Sequence, residues 1–131
     1  MPSRIDREFA PLERALNLRA QRSSVLAGNI ANADTPHYKA RDFDFRAVMT
    51  DAARNADLRL AKTSTRHLDG ADGDGRTPKL QYRHPVQPSI DGNTVELDAE
   101  IGRFSDNAIR YQASLTFMNG RIRSLMSAIQ G

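Results

Sequence analysis

The sequence predicts a mostly α-helical chain in which two long helices, one at each end, pack together as a coiled-coil-like pair. Apolar residues recur at alternating spacings of three and four in the last third of the chain and, less regularly, in the first third. Prolines and glycines interrupt the middle, which has few large apolar residues. We therefore expect one domain with an N-terminal helix (1–34), an irregular connector with possible short β segments (35–92) and a C-terminal helix (93–131).

The N-terminal helix has a heptad pattern that runs from residue 5 to residue 30. Arg19 and Ser23 interrupt this seam, and a polar group there more often sets the register or the partner than adds stability. Three of its apolar residues are expected to pack against the other long helix: Leu16, Leu26 and Ile30.

Prolines set the expected ends of this helix. Proline lacks an N–H and clashes with the preceding turn, so Pro11 predicts a continuous helix that begins near Ala10. Pro36 disfavours the α conformation at Thr35, so the helix must finish by about Asp34.

The connector begins with three of the chain's eight aromatic residues, Tyr38, Phe43 and Phe45. The last two alternate with aspartates, as in a half-buried strand. We expect these aromatics to pin the connector against helices of the next subunit, with the chain's own helix pair as the alternative. Further along, we expect a short helix over 51–62, a flexible turn over 69–75, and Val86 and Ile90 as apolar anchors.

The C-terminal helix has the more regular seam, whose a positions recur every seven residues from residue 101 to residue 129. Asn93 or Asp98 is expected to cap its start. A helix over residues 94–130 would be about 55 Å long. Its expected packing residues are Ile101, Phe104, Tyr111, Leu115, Met118, Ile122 and Leu125.

Both helices also have apolar residues outside their seams. Single exposed apolar residues are common and carry no meaning by themselves. Here, however, the off-seam residues form a stripe on each helix: Leu18 and Val25 are seven apart in the first, and Ile109, Ala113 and Phe117 are four apart in the last. We therefore expect contacts with other subunits at Leu18, Val25, Ile109 and Phe117.

The composition argues against catalysis. The chain has no cysteine, and its three histidines lack metal-ligand spacing. The aspartates of residues 69–75 fail the EF-hand register, and we find no nucleophile motif or phosphate-binding loop. We therefore predict that it is not an enzyme and has no metal, cofactor or small-molecule substrate. The net charge of +3 is spread over alternating acids and bases, which argues against a nucleic-acid partner.

The segment NIANADTPHYKARDFDF (29–45) resembles the N-terminal signature of the flagellar rod, hook and hook-associated axial proteins. In that family an Asn-rich N-x-x-N-x-x-T-P-G-Y segment ends the first helix. His37 departs from the usual Gly, which adopts a positive φ more easily. Residues 15–22, 91–100 and 107–122 resemble the proximal rod members in particular. The residues that match the signature are Asn29, Asn32, Thr35, Pro36 and Tyr38.

The resemblance implies a structural subunit of the proximal rod, part of the drive shaft that transmits torque to the hook and filament and is required for motility. The implied partners are other copies of the chain, other rod proteins, a FliE-like rod adaptor, the MS ring and the export gate. It also implies synthesis in the cytoplasm, export by the flagellar type III apparatus, and a final place on the periplasmic side of the inner membrane. The alternative is a cytoplasmic coiled-coil adaptor or chaperone, and a basic nucleic-acid binder comes third.

Overall fold

The computed structural model describes residues 3–56 and 78–131. Predictions for residues 57–77, including the turn over 69–75, lie outside the described residues. The mostly α prediction, with long terminal helices around a middle with short β segments, is confirmed. The elements in chain order are α1 (Arg4–Ala31), β1 (Arg41–Asp42), α2 (Phe45–Ala56), β2 (Gln81–Tyr82) and α3 (Leu97–Gln130).

Helix α1 begins earlier than Pro11 predicted. Ser3 and Asp6 form a capping box, in which the Ser3 N–H donates to Asp6 Oδ2 (2.8 Å) and the Asp6 N–H donates to Ser3 Oγ (3.1 Å). These bonds satisfy N–H groups that a helix start leaves without partners. The helix then runs through Pro11, so the expected start near Ala10 is wrong. It ends at Ala31, ahead of Pro36, as that proline predicted.

Helices α1 and α3 lie antiparallel. Near the connector, Asn29 of α1 contacts Glu100 of α3, whereas further along Arg19 contacts Asn107. Within residues 3–56 and 78–131, no helix is long and apolar enough to span a membrane. In this part of the chain the buried apolar residues are only Leu18, Leu26, Ala40 and Phe43. Polar contacts therefore carry much of the packing.

The strands attach the later part of the connector to its beginning. Strands β1 and β2 pair antiparallel, with Arg41 opposite Tyr82. The Arg41 guanidinium lies 5.4 Å from the centre of the Tyr82 ring. The Arg83 N–H donates to the Ala40 carbonyl (2.9 Å), which brings the Arg83 side chain over the helix pair.

Helix α2 begins at Phe45 rather than near Asp51. Asp44 caps its start, because Asp44 Oδ1 accepts from the N–H groups of Arg46 (2.9 Å) and Ala47 (3.2 Å). The predicted strand-like alternation of residues 42–45 is therefore wrong beyond Asp42. The strand ends at Asp42, and Asp44 is the cap of the helix that follows.

Candidate functional site at the connector junction

The signature segment folds into a buried polar cluster where the connector meets both long helices. We call this cluster the polar clasp, and three of its residues are almost closed to solvent: Asn29 (0% exposed), Glu100 (1%) and Asp42 (8%). Buried polar groups of this kind are stable only when they are hydrogen-bonded. The polar clasp consists of Arg22, Asn29, Asp42, Arg83, Glu100 and Arg103.

Glu100 lies at the centre of the polar clasp. Its Oε2 accepts from Asn29 Nδ2 (3.0 Å), and its Oε1 accepts from one guanidinium nitrogen each of Arg83 and Arg103, both at 2.8 Å. A buried carboxylate is costly unless it is both charge-paired and hydrogen-bonded. Donors from α1, from the segment after β2 and from α3 itself meet this requirement.

Asp42 forms the second acidic point of the polar clasp. Arg22 donates to both of its carboxylate oxygens, from Nε (3.1 Å) and from Nη2 (3.0 Å), and Arg83 forms an ion pair with it. This bond to Asp42 raises the pKa of Arg22. Arg83 therefore joins Asp42 of the connector to Glu100 of α3, so a single guanidinium holds three parts of the fold together.

Asn29 of the signature pairs with the connector backbone in both directions. Its Nδ2 donates to the Arg41 carbonyl (2.7 Å), and its Oδ1 accepts from the Arg41 N–H (3.1 Å). Tyr38, another signature residue, donates its hydroxyl to the same Oδ1 (3.4 Å). Only an amide side chain offers a donor and an acceptor side by side, which accounts for an asparagine at this position.

The end of α1 is closed by Asn93. Its Nδ2 lies 3.0, 2.9 and 2.7 Å from the carbonyl oxygens of Asn32, Ala33 and Thr35. These oxygens belong to the C-cap of α1 and to the turn that follows it, so one side chain ties that turn together. The prediction that Asn93 caps the start of α3 is wrong, since the N-cap of α3 is Glu96, whose side chain makes no capping bond to the helix.

The turn after Pro36 needs an unusual backbone at His37. This residue has φ 61°, the left-handed region that a glycine adopts more easily, and its N–H donates to the Asp91 carbonyl (3.0 Å). Gly92 lies opposite, with φ 73°, and a Cβ there would come within 2.9 Å of His37 Nδ1. The Ser89 hydroxyl, helped by the Asn93 N–H, lowers the pKa of Asp91 below its ordinary value of 3.8.

A second polar contact lies further along the helix pair. Asn107 is 1% exposed, and its Nδ2 donates to the Arg19 carbonyl (2.9 Å). The Arg19 guanidinium stacks on the Phe45 ring at 4.1 Å, and burial lowers the pKa of Arg19.

Sequence reasoning missed Glu100 and Asn107. Their signal was present: each stands one position before an a position of the α3 seam, at the same heptad spacing.

Comparison with known proteins agrees with the signature. The family model described as flagella basal body rod protein matches residues 12–39, which include the end of α1 and the start of the connector. The chain is 45% identical to the flagellar basal body rod protein FlgB of Escherichia coli (strain K12), over 99% of this chain and 98% of the relative. FlgB of Salmonella typhimurium is 40% identical over 100% of this chain and 99% of the relative. FlgB of Cereibacter sphaeroides is 50% identical over 90% of this chain and 90% of the relative.

The chain belongs to the FlgB family of flagellar basal body rod proteins. Membership confirms the resemblance seen in the sequence, and it confirms a structural subunit located in the rod of the flagellar basal body. It also supports association with other components of that rod. The alternative of a cytoplasmic adaptor or chaperone is not favoured.

Most of the predicted packing residues of this FlgB-family chain are buried or half-buried. Ile101 differs, because it is 47% exposed while its neighbour Glu100 faces α1. Within one chain, Ile101 therefore lies outside the interface with α1, and its predicted role in helix packing stays a prediction. Tyr111 and Ile122 lie at the border of the exposed class, at 37% and 39%. The remaining predicted packing residues are at least half-buried: Leu16, Leu26, Ile30, Phe104, Leu115, Met118 and Leu125.

The four residues predicted to contact other subunits also differ in their exposure to solvent. Ile109 (70% exposed) and Phe117 (56%) are open to a neighbour, and Val25 is half-buried. Leu18 is 2% exposed, so its predicted contact with another subunit is wrong. Four residues to either side of it, Arg14 donates to the Ala52 carbonyl of α2 and Arg22 to Asp42 of β1. The connector therefore covers this face of α1.

The connector aromatics turn toward the chain's own helices. Phe43 is 4% exposed, and Phe45 lies half-buried beneath Arg19. This favours the alternative of an intrachain role over the expected contact with the next subunit. Val86 and Ile90, expected to anchor the connector, are instead 87% and 108% exposed, so that prediction is wrong.

Proposed function

We propose that this chain is a structural subunit of the proximal rod, and that it transmits torque from the motor toward the hook and filament. The observation that carries the proposal is the set of apolar side chains that α3 leaves exposed along its length, both on its seam and outside it, in a chain with full-length FlgB relatives. The exposed large apolar residues of α3 are Leu97, Ile101, Ile109, Tyr111, Phe117, Ile122, Met126 and Ile129.

Apolar residues exposed along so much of a helix mark interaction surfaces rather than a finished exterior. Packing them against equivalent helices of neighbouring subunits would bury them and build a tube of interlocked helices. Close-packed side chains cannot slide freely past one another, so such a tube resists bending and twisting. Torque transmission needs that stiffness and needs no chemistry, which agrees with our prediction that the chain is not an enzyme.

The neighbours that the proposal names are other copies of the chain, other rod proteins, a FliE-like adaptor, the MS ring and the export gate. Export through the flagellar type III apparatus requires an unfolded chain. A subunit with few buried apolar residues in its described part suits that route, because the hydrophobic effect is the main term that opposes unfolding. The absence of a cofactor, a metal and a nucleic-acid partner stays a prediction.

Deletion of the gene in its own bacterium tests the proposal. We expect non-swimming cells whose isolated basal bodies keep the inner-membrane ring but lack a rod in electron micrographs. The unaltered gene supplied on a plasmid should restore both the rod and swimming. Swimming deletion cells with intact rods would overturn the proposal.

A further inference from the structure

The loop of residues 85–90, which we call the proline loop, presents apolar side chains with no cover. Val86 is 87% exposed and Ile90 108% exposed, the highest values among the exposed large apolar residues of the described chain. Water contact on two large apolar side chains of one short loop is unfavourable and is relieved when a partner covers them.

The proline loop is also rigid in ways that favour binding. Pro85 and Pro88 fix their own φ angles. The Val86 N–H donates to Glu96 Oε1 (3.0 Å), and the Ser89 carbonyl accepts from the Gly92 N–H (3.2 Å). A loop already held in one conformation loses little entropy when it binds.

A complementary surface lies at the opposite end of the helix pair. There α1 and α3 leave an open groove, which we call the end groove. Its apolar residues come from both helices, and one acidic and one basic residue accompany them. The end groove is lined by Glu8, Phe9, Leu12, Arg121, Ser124 and Leu125.

The two surfaces are too far apart to meet within one chain. The proline loop is bonded to Glu96, and the end groove begins at Arg121 on the same continuous helix. At 1.5 Å per residue, the separation along α3 is about 40 Å. Complementary surfaces at opposite ends of a subunit make a head-to-tail contact, and such contacts build rings or open-ended filaments rather than two-fold symmetric dimers.

Charge complementarity favours a second copy of the chain as the occupant. Asp91, exposed at one end of the proline loop, is opposite in sign to Arg121 of the groove. His84, exposed at the other end, can donate to Glu8. We propose that the proline loop of one copy inserts into the end groove of the next copy. This inference rests on the proposed function, because it names the surfaces through which rod copies join.

Disulfide trapping tests the contact, since the chain has no cysteine of its own. The double variant Ile90→Cys/Ser124→Cys places one thiol in the loop and one in the groove. The separation of about 40 Å excludes an intramolecular disulfide. Oxidation of the concentrated purified protein should therefore give a ladder of dimers, trimers and higher species on non-reducing gels, collapsing to monomer with reductant.

The single variants, with one thiol each, can give only dimers and set the background. The matched control Ile90→Cys/Thr116→Cys moves the second thiol to an exposed position of α3 outside the end groove, still about 30 Å along the helix from Glu96. A ladder of equal strength in this control, or a double variant that forms no species larger than a dimer, would overturn the inference. So would a ladder that persists unchanged when Phe9→Asp is added to the groove.

Swimming of the deletion strain separates this inference from the proposed function. If the unoxidised Ile90→Cys/Ser124→Cys chain restores rods and swimming but forms no ladder, the rod function stands and the loop-in-groove contact is wrong. If even the unaltered gene proves unnecessary for rods, the rod function itself is wrong.

Discussion

Asn29 donates a hydrogen bond from Nδ2 to Glu100 Oε2 across 3.0 Å, at a point where both residues are closed to solvent. The bond joins a residue of the family signature to a residue of the C-terminal helix. Because Asn29 also pairs with the Arg41 backbone, one side chain fixes the positions of α1, the connector and α3 relative to one another.

The first prediction concerns Glu100. Glu100→Ala leaves Arg83, Arg103 and Asn29 without their shared acceptor, and we expect a loss of about 3 kcal/mol in the free energy of unfolding. Urea denaturation followed by helical circular dichroism measures it. Asp98→Ala changes an exposed residue in the same helical turn and should lower the free energy of unfolding by only about 0.3 kcal/mol. Equal unfolding midpoints for the two variants would contradict this role for Glu100.

The second prediction concerns the end of α1. Asn93→Ala removes the donor shared by three carbonyl oxygens, and we expect a destabilisation of about 1–3 kcal/mol. The control is Asn119→Ala on the exposed part of α3, where alanine is the better helix former and stability should not fall. Hydrogen exchange should report faster opening near the end of α1 only in the Asn93 variant.

The third prediction concerns the positive φ of His37. Glycine avoids a strain of about 1–2 kcal/mol in this region but loses more chain entropy on folding, so His37→Gly should stabilise the protein by about 0.5 kcal/mol. The φ angle of His84 is not positive, so the control variant His84→Gly should leave stability unchanged or lower it. Thermal melts of the two variants that move in the same direction would be inconsistent with strain at His37.

The fourth prediction concerns pH. The pKa of Asp91 is lowered in the folded state, chiefly by the Ser89 hydroxyl, so the unfolded chain binds this proton more readily. Its contribution to stability is therefore present above the ordinary pKa of 3.8 and is lost as the pH falls through the lower, folded value. An NMR titration of the Asn93 amide should show a midpoint below 3.8. Ser89→Ala should move that midpoint upward, and an unchanged midpoint would assign the shift to another cause.

The fifth prediction separates folding from assembly. Leu26 is 0% exposed, and Leu26→Ala should cost about 2–5 kcal/mol of stability. Ile109 is 70% exposed, so Ile109→Ala should change monomer stability by less than about 0.5 kcal/mol yet reduce rod assembly in the deletion strain. Urea denaturation and counts of complete rods measure the two effects. Full assembly by the Ile109 variant would remove it from the subunit interface.

The two long helices were readable from the sequence because heptad spacing is a strong local signal. The same signal did not say which stripe faces the chain's own partner helix. In α3 the inward face at the connector end carries Glu100 and Asn107, and the apolar Ile101 is left outside. Periodicity counts apolar residues, and it cannot weigh a polar residue whose partner stands far away in the sequence.

The connector was the least predictable part, for a related reason. Asp44 could be read as the polar face of a strand or as a helix cap, and only its bonds to Arg46 and Ala47 decide between them. The signature residues were identified as important, but their partners were not. Asn29 acts through the Arg41 backbone and Glu100, and Tyr38 acts through Asn29, contacts that no local pattern encodes.

The two buried polar contacts between the helices have a mechanical consequence. A slip of α3 along α1 by one helical turn, about 5.4 Å, would take Glu100 from Asn29 and Asn107 from the Arg19 carbonyl at the same time. Asn29 and Glu100 would keep their bonds to the Arg41 backbone and to Arg103, but the buried Asn107 amide would lose its acceptor, which is costly. Under axial load, the helix pair therefore resists sliding until these two polar contacts break together.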